Sequence, residues 1–226
     1  MPLAETACSA GRPRGRQAGR GTAPRRHALA LAAAVCMLGL ASCISIESRF
    51  TFDADGSGEL QLRYLLDGAL ARLGVASDSE ALALPLSEAE FRAAAAAIEG
   101  LELVSYRRAD QGDQAEVVAV LQFDRVERVA ELASFAPLHP RLHGDDPAVF
   151  ELAVSSGGDQ PLDEATVHFL GTLLGSHTVS FVVVAPRPIR DAGAGTLAED
   201  GSRVTLSIRL ADYAADIEPR MLRVSW

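Results

Sequence analysis

Three stretches of the sequence carry residue types that could do chemistry. The first is Leu40-Ala41-Ser42-Cys43, where a thiol follows small residues at the end of an uncharged apolar run from Ala28 to Ala41. A thiol so placed is a nucleophile that can carry a modification. The second is Asp53-Ala54-Asp55-Gly56-Ser57-Gly58, whose oxygens are spaced like the opening of a calcium loop. Such a loop ends on a bidentate glutamate at its twelfth position. That position is Tyr64 here, the ninth is Gln61, and the flanks alternate as strands, so a hairpin turn explains the acids better. The third holds His139, His143, Asp145 and Asp146. Two histidines four apart share a face only on a helix, Pro140 and Gly144 argue against one, and no third ligand stands at a telling spacing. A solvated loop is the simpler reading. His168, in an apolar helical pattern, reads as partly buried, and His177 opens a strand.

The segment before Cys43 decides between readings of its thiol. Arg12, Arg14, Arg16, Arg20, Arg25 and Arg26 precede the apolar run, with Glu5 the only acid. A basic n-region, a short apolar h-region and small residues before a cleavage point make a secretory signal. The n-region is long, which leaves room for a start downstream of Met1. The run of 14 residues is short of the roughly 20 that span a bilayer as a helix. Arg25-Arg26 lies between Pro24 and His27, a poor match to a twin-arginine motif, so general secretion is expected. Leu40-Ala41-Ser42-Cys43 resembles a bacterial lipobox. That resemblance implies cleavage before Cys43, a diacylglyceryl thioether on its sulfur and a further acyl group on the new N-terminus. Two or more chains hold a protein stably on a membrane, where one does not. An uncleaved short anchor or a plain signal peptide is the alternative. Ile44, not Asp, follows Cys43, which by the common sorting rule implies the outer membrane in a bacterium with two.

Removing residues 1–42 leaves 184, enough for one domain or two small ones with a real core. Of 21 basic and 30 acidic residues the leader holds six and one, so the mature chain carries 15 and 29, a net charge of −14. An acidic surface repels phosphate backbones and disfavours nucleic acid as a partner. It also disfavours flat adhesion to anionic lipid heads, which leaves an acyl anchor to hold the protein down. Cys8 and Cys36 lie in the leader, so with Cys43 acylated no disulfide, thiol nucleophile or cysteine metal site remains. The chain has no lysine, which excludes Schiff-base and Ser-Lys chemistry. Gly-x-Ser-x-Gly, His-Glu-x-x-His and a phosphate-binding glycine loop are absent. A Ser-His-Asp triad from distant positions stays open, without support.

Period-two alternation predicts strands over 44–52 and 59–65, joined through the Asp/Gly cluster as a hairpin. Residues 68–84 are Ala/Leu-rich and predict a short helix and loop. Ser87 and Glu90 form a capping box for a helix running to Glu99 and stopped by Gly100. The pattern then recurs: strands over 101–106 and 116–123 around Asp110–Asp113, then a helix over Arg125–Phe135 capped by Asp124. A loop at 137–147 is the candidate sub-boundary within the domain 43–226. Strands are expected at 150–154, 178–184, 204–210 and 221–226, with a helix over 163–174. That helix and the strand after it read as core, with a lipid-lined cavity the sharper alternative. The sum is an α+β fold, an antiparallel sheet of hairpins with helices packed on one face, in the order ββα-ββα-βαβββ.

The apolar strand His177–Pro186, the turn Gly195–Gly201 and the strand Ser202–Leu210, with the Asp55–Gly58 hairpin soon after Cys43, resemble the LppM-type lipoprotein domain and spirochaete-like uncharacterised bacterial lipoproteins. The resemblance implies a membrane-tethered module that binds lipid or glycolipid rather than an enzyme. The expectation is a bacterial envelope lipoprotein facing periplasm or exterior, held by palmitate and diacylglycerol on Cys43. It needs no cofactor, and its partner is a lipid or an envelope protein. An envelope hydrolase with a dispersed active site and an accessory of envelope assembly are the alternatives.

Overall fold

The computed structural model describes residues 45–67, 85–112, 114–154, 168, 172, 177–215 and 220–226. Its strands, in chain order, are β1 (Ser45–Phe52), β2 (Gly58–Asp67), β3 (Leu101–Gln111), β4 (Gln114–Phe123), β5 (Arg141–His143), β6 (Val149–Val154), β7 (Thr178–Val184), β8 (Thr196–Leu197), β9 (Arg203–Arg209) and β10 (Arg220–Ser225). Among the described residues the helices α1 (Glu88–Ala96) and α2 (Leu210–Ala215) lie between these strands.

The alternating segments pair as hairpins where a tight turn allows it. β1 lies antiparallel to β2, with Ser45 opposite Leu65 and Phe52 opposite Gly58. The turn closes on itself: the Asp53 N–H donates to the Ser57 carbonyl at 2.8 Å, and Gly56 takes the left-handed backbone its position requires. β3 and β4 make the second hairpin, and β4 pairs also with β2. β1, β2 and β4 bury alternate side chains on one face, among them Phe50, Leu60, Leu62, Ala119 and Leu121, as period two demands, whereas β3 buries Leu101 and shifts register against β4 between Leu103 and Ser105.

The expected all-antiparallel sheet is corrected by β7. Its run Thr-Val-Ser-Phe-Val-Val-Val buries Val182 as well as Val179, Phe181 and Val183, so both faces are covered, the signature of an interior strand. It sits beside β1, parallel to it, with Ser45 level with Thr178. The large sheet is therefore mixed, in the order β3-β4-β2-β1-β7-β9-β8. Hairpin logic pairs strands that are neighbours in sequence; a parallel pair needs a long crossover that it cannot foresee.

The covering layer also differs from expectation. A second sheet, β10-β6-β5, lies over the large one where helices alone were expected. Phe150 of β6 packs on Phe50 and Phe52 at 5.2 and 5.1 Å between ring centroids, and the terminal Trp226 meets Phe52 at 5.2 Å. Burying each such ring contributes about 2–3 kcal/mol. α1 is the helix the capping box predicts. The Glu90 N–H donates to Ser87 Oγ at 3.3 Å and the Ser87 N–H to Glu90 Oε2 at 3.1 Å. Its Phe91 packs against Tyr64 and Tyr106, 6.4 and 5.9 Å away.

The helix expected over Arg125–Phe135 is instead a chain of 3-10 turns, at Val126–Glu131 and Ala136–Leu138. The buried residues Val126, Val129, Leu132, Phe135 and Leu138 recur every third position, and the hydrogen bonds that follow them run i to i+3. That is the 3-10 period, not 3.6. Asp124 makes no cap here; it pairs with Arg128 at 3.8 Å. The ββα-ββα repeat therefore does not hold in its second half. Part of the expected loop 137–147 is the strand β5, and α2 arises where the β9 strand was expected to reach Leu210. The helices expected in 68–84 and 163–174 lie outside the described residues, save His168 and Thr172, both helical.

Candidate functional site

Register divides the large sheet into two ends. At one, Phe52, Gly58, Leu101 and Phe123 stand in line; at the other, Ser45, Leu65, Glu116, Ala109, Thr178 and Arg209 do. The lipobox residues Leu40, Ala41, Ser42 and Cys43 lie outside the described residues. Covalent geometry still bounds the cysteine. Only Ile44 separates it from Ser45, and two Cα steps of about 3.8 Å put it within about 8 Å of the Ser45 end. Ser45 is held on both sides, by β2 and by β7.

The Ser45 end carries a charged cluster on the face turned away from the small sheet. Arg63 of β2 and Arg107 of β3 both stand opposite Val118 of β4, and Glu116, two residues before Val118, reaches both. Arg63 Nε donates to Glu116 Oε1 at 2.7 Å and Arg107 Nη2 to Oε2 at 2.8 Å. The Arg63 guanidinium, then Arg107, holds the Glu116 carboxyl below its ordinary value. Arg63, Leu65, Ala109, Gln114 and Glu116 line an open hollow of about 250 Å³. Two guanidiniums sharing one carboxylate keep a net positive charge and spare N–H donors. No local sequence signal marks this trio, because its members are 53 and 9 positions apart and meet only through strand register.

On the covered face near the same end lies Tyr64, opposite Ile46. It is 1 % exposed and its hydroxyl has no partner among the described residues; burial pushes the phenol well above its ordinary value. Tyr106, by contrast, donates to the Leu86 carbonyl at 2.6 Å. A buried unpaired hydroxyl costs about 1–3 kcal/mol. The sequence shows Tyr64 only as an inward position of a strand.

The other candidates are accounted for by local structure. Ser57 Oγ donates to Asp55 Oδ1 at 2.6 Å and the Ser57 N–H to the same oxygen at 3.1 Å, which lowers the Asp55 carboxyl below its ordinary value. The two acids of this turn, Asp53 and Asp55, serve the turn itself. His139 takes a left-handed backbone at the end of a 3-10 turn, and His143 lies on β5 with Nε2 3.6 Å from Glu151. Asp145 accepts from Arg187 through its carbonyl at 2.7 Å, and Asp146 accepts from Arg190 at 3.0 Å. These bonds tie the 139–148 loop to the segment after β7. Among the described residues no group of three or more His, Cys, Asp or Glu is placed to hold a metal ion. His177 is buried and His168 exposed.

No family model matches the chain, and no curated protein does. Among solved structures it is similar to the NMR structure of the folded domain of the Mycobacterium tuberculosis LppM protein. The likeness has a TM-score of 0.44 at 10% identity and covers 80% of this chain and 88% of that one. A likeness of that size carries no argument about function.

Proposed function

We propose that the chain is a bacterial envelope lipoprotein whose first mature residue is Cys43, acylated on its sulfur, and whose domain is a non-catalytic binding module. The observation that carries this reading is the order of parts. A basic leader and a 14-residue apolar run end on Leu40-Ala41-Ser42-Cys43, and β1 begins two residues later. A folded domain that starts at once after the cysteine is what cleavage before Cys43 would leave.

Several of the module's polar side chains serve local structure. Ser87 and Glu90 cap α1, Ser57 and Asp55 shape a turn, and Arg92 pairs with Glu88 on the helix surface. The partner is a lipid, glycolipid or envelope protein. In a bacterium with two membranes the protein resides at the outer one.

Growth with radiolabelled palmitate tests the anchor. The full chain takes up label and sediments with membranes, while Cys43→Ala takes up none and is released. A Cys43→Ala chain that fractionates unchanged overturns the reading. Native mass spectrometry of the gently extracted protein tests the binding arm: a co-purifying lipid adduct supports it, and a bare mass counts against its lipid form.

A further inference from the structure

We infer that the large sheet stands end-on against its own bilayer, with the Ser45 end at the headgroups and the Asp53–Ser57 turn farthest away. The inference rests on acylation of Cys43 and goes beyond it, since an acyl anchor followed by a long spacer would leave the domain free to tumble. Here there is no spacer. Ile44 alone joins the acylated residue to Ser45, and Ser45 is hydrogen-bonded into the interior of a seven-stranded sheet. An anchor within about 8 Å of the Ser45 end keeps that end at the membrane, and the opposite end, about 25 Å away along the eight residues of β1, meets the bilayer only if the sheet lies flat.

The surface that meets the headgroups fits the bilayer's chemistry. Arg63 and Arg107 stand two residues inward of the Ser45 row; Arg63 lines the hollow beside Glu116, and Arg107 bonds the same carboxylate from β3. Each keeps N–H donors that the single carboxylate does not use, and lipid phosphodiesters accept such donors. The domain's net charge of −14 opposes lying flat on anionic lipid, so the tether and this small basic contact set the orientation.

The test uses the full chain, produced in bacteria and reconstituted into vesicles containing a lipid with a nitroxide on its headgroup. Asp110→Cys places a fluorophore on the Ser45 end; Ala54→Cys and Glu102→Cys place one on the far end, all three at exposed positions. Acylation of Cys43 leaves the engineered thiol as the one free thiol in the mature chain. The expected result is quenching several-fold stronger at position 110 than at 54 or 102. The difference should disappear when about ten Gly/Ser residues are inserted between Ile44 and Ser45. Equal quenching at both ends in palmitate-labelled protein overturns the end-on seating and leaves the lipoprotein reading in place. Protein without palmitate label overturns that reading, and the seating with it.

Discussion

The two ends of the large sheet are built differently. At the Phe52 end the chain turns back quickly, and Phe50, Phe52, Phe123, Phe135, Phe150 and Trp226 close over one another. The Asp53 turn and the Arg190–Asp146 pair tie loops together around them. At the Ser45 end stand an unpaired buried hydroxyl, an arginine pair around one carboxylate, and the strand start that follows Cys43. One end concentrates apolar burial and satisfied turns. The other carries the Tyr64 hydroxyl and the Arg63–Glu116–Arg107 trio.

The largest effect is expected where the rings meet. Phe52→Ala removes contacts with Phe123, Phe150 and Trp226 and should lower stability by about 3–5 kcal/mol in urea unfolding. A loss below about 1 kcal/mol would mean that this end does not carry the stability. Gly100→Ala comes next. Gly100 has φ +83° after α1, and a Cβ there would collide with the Asp124 carboxylate, so a loss of about 1–3 kcal/mol is expected in the same assay.

Glu90→Gln should act through pH. Accepting the Leu86 and Ser87 N–H groups holds the Glu90 carboxyl below its ordinary value of 4.5. A lowered carboxylate contributes stability that is present above 4.5 and lost as pH falls through its folded value. Thermal melts of the wild type should therefore drop more steeply below that pH than those of Glu90→Gln, by an amount worth less than about 1 kcal/mol. Parallel slopes would contradict the cap. Tyr64→Phe differs in sign: it should be neutral to stabilising, by up to about 1–3 kcal/mol, because the hydroxyl it removes has no partner among the described residues. A clear loss would show the two ends to be equally satisfied.

Much of this fold was legible in the sequence, and the reasons differ by element. β7 and the capping box at Ser87 and Glu90 are local patterns, and each appears where its residues indicate. The 3-10 turns were legible in principle, since Val126, Val129, Leu132 and Phe135 recur every third residue; the helix expectation took them for a period of 3.6. The parallel placement of β7 beside β1 and the separate sheet of β5, β6 and β10 were not, because register between distant strands leaves no local trace. The same holds for the site. Cys43 is a sequence motif, whereas Arg63, Arg107 and Glu116 meet only through pairing, and Tyr64 is marked only by what fails to bond it.

The central claim is that the mature protein begins at an acylated Cys43, directly before β1. The intact mass of the detergent-purified full-length product tests it most directly. The account predicts a chain of residues 43–226 carrying a diacylglyceryl group and a further acyl chain, both mapping to the N-terminal peptide. A mass that retains residues 1–42, or a 43–226 chain with an unmodified thiol, would contradict it.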